Sequence, residues 1–244
     1  MAFDPHELDR DYGAPSGVIT EEQYTTRTFL WMMLGLMITF GVAILGWMTN
    51  LTQYLYAASP LVPIALGLVT LFMVITFSGR IEKMSVSSAQ TLFVVFSIVM
   101  GITVSSWLYL FQLFSVVLVF LMTALYFGAL AAYGHFTSRS LAGYRSILLS
   151  GLIFLVVFGL VVFGILSLFI PGLSALESVY CLIGIAIFLG YTAYDTQRIR
   201  EFYYYYSGYP DMMEKASIFS ALQLYLDFIN LFLYLLRFLG RQRD

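Results

Sequence analysis

A chain of 244 residues that is 60% hydrophobic, 18% aromatic and only 11% charged departs from soluble domains, in which roughly 25% of residues carry charge. It reads as an integral membrane protein whose length is used up by spans, and its net charge of −2 argues against a nucleic-acid partner. The single cysteine, Cys181, can form no intrachain disulfide, and His6 and His135 stand far apart, so a zinc or haem enzyme is not expected.

Residues 1–27 form a polar tail with Asp4, Glu7, Asp9, Asp11, Glu21 and Glu22. It lacks the basic start and short apolar core of a cleavable signal peptide. The tail is read as mobile, ending between Ser16 and Glu22, ahead of a transmembrane domain over 28–244; a docking segment is the functional alternative. Seven hydrophobic runs follow, at 28–48, 61–78, 89–109, 114–133, 147–170, 176–196 and 216–239, each near the roughly 20 residues a spanning helix needs. The first five contain no Asp, Glu, Lys or Arg. Turn formers stand between runs at Asn50, Pro60 and Pro171–Gly172. An outer-membrane barrel would show short alternating strands instead. The predicted class is an all-α integral membrane protein, a bundle of seven transmembrane helices. Ser97, Gly101 and Ser105, and the pair Gly128 and Ala132, recur at spacings of four and predict close helix contacts.

Orientation follows from the cationic residues of the loops. Arg10, Arg27, Arg80, Lys83, Arg139, Arg145, Arg198, Arg200 and Lys215 fall on one side, which predicts a cytoplasmic N-terminus. Arg237, Arg241 and Arg243 fall on the other side if the seventh run crosses fully. Either that short tail tolerates the violation, or the last segment re-enters. The aromatic run 202–206 beside the sixth helix reads as an interfacial belt.

The last run carries a polar stripe of Ser220, Gln223, Asp227, Asn230, Tyr234 and Arg237, in steps of three and four along one helix face. A carboxylate at mid-membrane costs about 2.5–3.5 kcal/mol even on lenient scales. The stripe must therefore face other helices or a wet cavity, which puts this helix at the centre of the fold. Glu177 and Arg237 sit near helix ends, where side chains can snorkel. That leaves Asp195 and Asp227 as the deep charges. Tyr191, Thr192 and Arg198 share the helix face of Asp195.

If the two carboxylates meet about 4 Å apart at an effective dielectric near 20, they repel by roughly 4 kcal/mol, about 3 pK units. Such a pair shares one proton and titrates as a unit, which suits a pH sensor. Deprotonated, it is a hard oxygen site for Ca²⁺, completed by carbonyls or water. The plain alternative is that each aspartate is held neutral alone, caps a helix, or pairs with Arg198 or Arg80.

The stretch Tyr194–Asp195–Thr196–Gln197, with Leu224–Tyr225–Leu226–Asp227–Phe228–Ile229–Asn230–Leu231–Phe232 after it, resembles the transmembrane Bax inhibitor motif family in a bacterial-type member. The hydrophobic layout of the whole chain agrees, and the specificity lies in residues 190–239. The resemblance implies a last helix wrapped by two layers of three. It also implies a pH-sensitive Ca²⁺ leak gated by a di-aspartyl pair, onto which Asp195 and Asp227 fall, supported here by Tyr191, Arg198, Gln223 and Asn230. An arginine after the second helix is implied to lock the closed state, and Arg80 is the nearest match, in a loose local motif. The expected setting is a lipid bilayer, a bacterial inner membrane rather than an organelle. Two other functions stand beside conduction. One is a membrane stress regulator that binds another membrane protein, such as an ATP-dependent protease. The other is an aspartic intramembrane hydrolase, which Leu226 before Asp227 disfavours because the usual glycine is missing. Nothing resembles a P-loop, and no enzyme is expected.

Overall fold

The computed structural model describes residues 19–59, 61–159, 161 and 174–242. The regular elements among them are helices, and an isolated backbone bridge joins Phe111 to Gln242. The first helix, α1, runs over Glu21–Met48 and starts two turns before its hydrophobic stretch. Local chemistry explains the early start: Gln23 N donates to Thr20 Oγ1 at 3.2 Å while Thr20 N donates to Gln23 Oε1 at 3.1 Å. Glu21 and Glu22 add negative charge at the positive end of the helix dipole.

Next come α2 (Leu51–Ala58), α3 (Val62–Arg80), α4 (Val86–Ser105), the single turn α5 (Trp107–Leu110) and α6 (Leu113–Phe136). A 3₁₀ turn at Ala142–Tyr144 leads into α7 (Arg145–Phe158), followed by α8 (Ser174–Tyr206) and α9 (Pro210–Leu239). Six helices among the described residues are long and apolar enough to cross a bilayer, and α7 belongs to a shorter apolar helix. The predicted fifth run continues past α7 into residues outside those described.

Burial ranks the helices. Within its apolar stretch α9 is 67% buried, against 11–44% for the other five long helices. The helices α1, α4, α6 and α8 pack on it; α3 lies against α4, and α7 against α8. Every peptide group of a spanning helix is bonded within its own segment, so side-chain fit decides how the helices meet. Ser97, Gly101 and Ser105 behave as predicted: all are buried, Thr39 Oγ1 of α1 donates to Ser97 O at 2.9 Å, and a Cβ on Gly101 would strike Thr39 O at 2.7 Å. Gly128 and Ala132 do not. Both are exposed, because the packed face of α6 is Val116, Val119, Thr123, Phe127, Ala131 and Gly134. Spacing alone offers two faces of one helix, and the neighbours choose.

The two ends of the bundle are distinct. At one, Arg200 Nε bonds Glu21 Oε1 at 2.9 Å and its Nη2 donates to His135 O at 2.8 Å. Tyr203 OH reaches Ile19 O and Tyr204 OH reaches Glu21 Oε2 there. The aromatic run is therefore the last turns of α8 itself, tying it to the start of α1, with Tyr204 and Tyr205 exposed. At the opposite end, Arg241 N donates to Ser115 Oγ and Gln112 N to Arg241 O. Between these ends α9 is an unbroken helix of 30 residues, about 45 Å long.

Candidate functional site

The polar stripe of α9 faces a cavity of about 320 Å³. Gln223, Asp227, Asn230 and Tyr234 enter it from α9, and Tyr180, Tyr191 and Asp195 from α8. Apolar cover comes from Leu152, Leu155 and Val156 of α7 and Val74 of α3, with Ser78 beside it. The periodicities of two helices crossing antiparallel bring both carboxylates onto one wall. Asp195 and Asp227 are 7% and 4% exposed, and each carboxylate lies within electrostatic reach of the other and of the Tyr191 hydroxyl.

Their surroundings differ. Arg198 Nη1 stands 3.8 Å from Asp195 Oδ1, a charge contact beyond hydrogen-bond length. Its guanidinium lies over the Phe202 ring at 4.7 Å and the Tyr194 ring at 5.6 Å, which fixes it on the side of α8. Asp227 Oδ2, in contrast, is buried with no hydrogen-bond partner among the described residues. Asn230 Nδ2 donates to Leu226 O at 2.8 Å, which leaves its Oδ1 acceptor and a second N–H for the cavity. Arg80 is exposed at the end of α3 and does not line the cavity. Arg198 is the cation beside Asp195, and Arg145 is within electrostatic reach of Tyr191.

The far end of the cavity is closed by side chains that the sequence did not pair. Tyr234 OH donates to Tyr180 OH at 3.1 Å, and Tyr180 OH to Leu155 O at 3.1 Å. Beyond them Glu177 Oε1 accepts from Arg237 Nη2 at 2.6 Å and Nε at 3.1 Å, with Trp107 under the guanidinium at 5.8 Å. These two charges, each near a helix end and part-exposed, pair with one another. Steps of three and four put Arg237 on the stripe, but its partner is 60 residues away. Cys181 is fully buried within electrostatic reach of this pair. Arg237→Gln is expected to raise its labelling rate with a water-soluble thiol reagent at least tenfold, since losing one charged hydrogen bond is worth about 1.5–3 kcal/mol; an unchanged rate would deny that the pair seals this end.

Gln197, quoted in the sequence only as a motif residue, holds the loop before α7: Leu141 N donates to its Oε1 at 2.7 Å, and its Nε2 to Arg139 O at 2.8 Å. No group of three or more His, Cys, Asp or Glu suited to a metal occurs among the described residues. The oxygen ligands lining the cavity are two carboxylates, the amide oxygens of Gln223 and Asn230, and the phenols of Tyr180, Tyr191 and Tyr234. That set suits a hard, partly hydrated cation held weakly.

Comparison with known proteins agrees with a membrane protein. The family described as "Inhibitor of apoptosis-promoting Bax1" matches residues 21–244. Inner membrane protein YbhL of Escherichia coli K12 is 35% identical over 223 residues, covering 91% of this chain and 93% of its own. A protein of Borreliella burgdorferi is 31% identical over 230 residues, with 93% and 95% covered. RP147 of Rickettsia prowazekii is 40% identical over 162 residues, 66% of each chain. With a family match over nearly the whole chain and six helices built to cross a bilayer, this is a multi-pass membrane protein of the Bax inhibitor family.

Proposed function

We propose that the chain is a passive cation pathway, not an enzyme, in which protonation of the Asp195–Asp227 pair favours closure and Ca²⁺ is the conducted ion. The observation that carries this reading is the buried pair itself, two carboxylates on one cavity with Asp227 Oδ2 unpartnered. With one proton on the pair, a single negative charge remains, and Arg198 lies beside it. Removing that proton adds a second charge to a poorly solvated space, and the repulsion is relieved by admitting a cation or by parting the walls. The oxygens that take the cation are those that take the proton, so the two compete. A weak, partly hydrated site suits conduction, because the ion must also leave. Of the six long helices α3 is the least buried, 11% in its apolar stretch, and we assign it as the movable cover.

The reading includes seven crossings. In its support, α6 ends near Arg200 at the Glu21 end, whereas α8 begins with Glu177 at the Arg237 end. The chain between them must change sides, and α7 runs along α8 with Gly190 near Leu148, Gly151 near Ile187 and Gly159 near Tyr180. In this reading α1, α3 and α4 form one layer around α9, and α6, α7 and α8 the other. Arg80, Lys83, Arg139, Arg145, Arg198, Arg200 and Lys215 belong to the Glu21 side, which we assign to the cytoplasm of a bacterial inner membrane.

The test is Ca²⁺ entry into liposomes holding only this protein, at pH 6, 7 and 8. Flux rising with pH, and a weaker rise in Asp195→Asn, is the expected result; no flux above empty liposomes at any pH would sink the reading. A regulator of another membrane protein, such as an ATP-dependent protease, is the second reading. An apolar groove of about 740 Å³ between α1 and α6, floored by Phe228, favours it as a seat for a partner helix. A stable partner, with a phenotype that outlives the loss of flux, would select it.

A further inference from the structure

Lys215 lies in the second turn of α9 and is 6% exposed. Its Nζ donates to Glu82 O and Met84 O, both at 3.1 Å. It belongs to none of the ion pairs among the described residues, and the adjacent Glu214 accepts from Gln90 of α4 instead. A buried ammonium without a carboxylate needs another source of negative potential. Here that source is the end of α3. Lys83 N and Met84 N both turn back to Arg80 O, so the carbonyls that Lys215 grips belong to the turn just past the negative pole of the α3 dipole.

The grip is lopsided along α3. Near the Lys215 end, Phe77 is 1% exposed and stacks on Phe219 of α9 at 6.1 Å. Toward the other end, Leu61, Ile64, Leu68 and Phe72 are 60–69% exposed. On either side of Phe77, α3 presents Val74 and Ser78 to the aspartate cavity. A helix fastened at one end and bare at the other moves by swinging about the fastened end.

We infer that Lys215 is a positioning residue that pins the α3–α4 turn to α9 and makes that end the hinge of the helix covering the Asp195–Asp227 cavity. The consequence for flux rests on the conduction reading; the anchoring does not. Lysine suits the task because its three donors sit on a stem long enough to leave α9 and meet two carbonyls at once.

The test uses the full chain in liposomes, comparing Lys215→Met, which keeps the length and loses the donors, with Lys215→Arg, which keeps the charge. Amide hydrogen exchange is followed by peptide, together with Ca²⁺ entry at pH 7. In Lys215→Met, exchange over residues 81–85 is expected to quicken at least about tenfold, the scale of one lost charge-assisted hydrogen bond. Exchange over 224–236 should stay unchanged, and Ca²⁺ entry should shift at least threefold. Lys215→Arg should return both toward the unmodified protein. Unchanged exchange over 81–85 overturns the inference, as does quickening spread equally through α9, which would make Lys215 merely structural. Local quickening without any flux, in variant and unmodified protein alike, supports the anchor and removes the conduction reading instead. If Lys215→Met does not fold, Lys215→Gln, which keeps an amide donor, carries the same comparison.

Discussion

Replacing Asp227 by asparagine is expected to flatten the pH response of Ca²⁺ entry, holding it near the pH 6 level through pH 8. Asparagine keeps the shape of the side chain and removes its charge, so the second negative charge of the pair never forms. In the unmodified protein, raising the pH takes the shared proton away. If the oxygens stand about 4 Å apart at an effective dielectric near 20, the added repulsion is roughly 4 kcal/mol, enough for about a thousandfold change in the balance between closed and open walls. A drop in pH 8 flux of at least about tenfold is a cautious reading of that figure, since relaxation of the walls absorbs part of it. Asp195→Asn should act in the same direction but less completely. Arg198 stands 3.8 Å from Asp195 and partly balances the charge lost there, whereas Asp227 Oδ2 has no hydrogen-bond partner among the described residues. Proteoliposome flux of the two variants from pH 6 to 8 checks this. Equal pH profiles in Asp227→Asn and the unmodified protein would remove Asp227 from gating.

Gly134→Leu is expected to destabilise the fold by about 3 kcal/mol, at the upper end of the overpacking range. A Cβ at Gly134 would meet the Ala193 backbone, its oxygen, carbonyl carbon and Cα. Backbone inside a bonded helix has no rotamer to give, so α6 and α8 must move apart. Ala193 stands two residues before Asp195, and the carboxylate moves with it. The matched control is Gly128→Leu on the same helix, where a Cβ meets nothing within 4 Å. There the change should be neutral or stabilising by up to about 1 kcal/mol, because leucine favours a helix more than glycine does. Thermal unfolding in one detergent ranks the pair. Equal melting temperatures would mean that the α6–α8 contact yields more readily than two packed backbones should.

Much of this was legible in the residues because a bilayer leaves a chain few choices. Unpaired peptide groups cannot face lipid, so apolar runs near 20 residues become helices, and a helix with a carboxylate stripe must turn that stripe inward. Those two rules already name α9 as the core helix, with Asp227 on it and Asp195 on the helix before it as the deep charges. Boundaries were less legible. Hydropathy marks where lipid contact begins, whereas the Thr20–Gln23 capping box marks where α1 begins, and the two differ by two turns.

What the sequence by itself determined is periodic: which face of each helix is polar, and that the segments are helices. What only the tertiary structure decided is pairwise. Glu177 meets Arg237, Lys215 meets the carbonyls of Glu82 and Met84, and Gly134 rather than Gly128 takes the close contact. Asp195 acquires Arg198 as its neighbour, while Arg80 stays exposed at the end of α3. The reason is physical. Periodicity is a property of one helix, set by 3.6 residues per turn, whereas a partner is chosen by the rotation and depth at which two helices meet. That choice depends on every side chain packed between them.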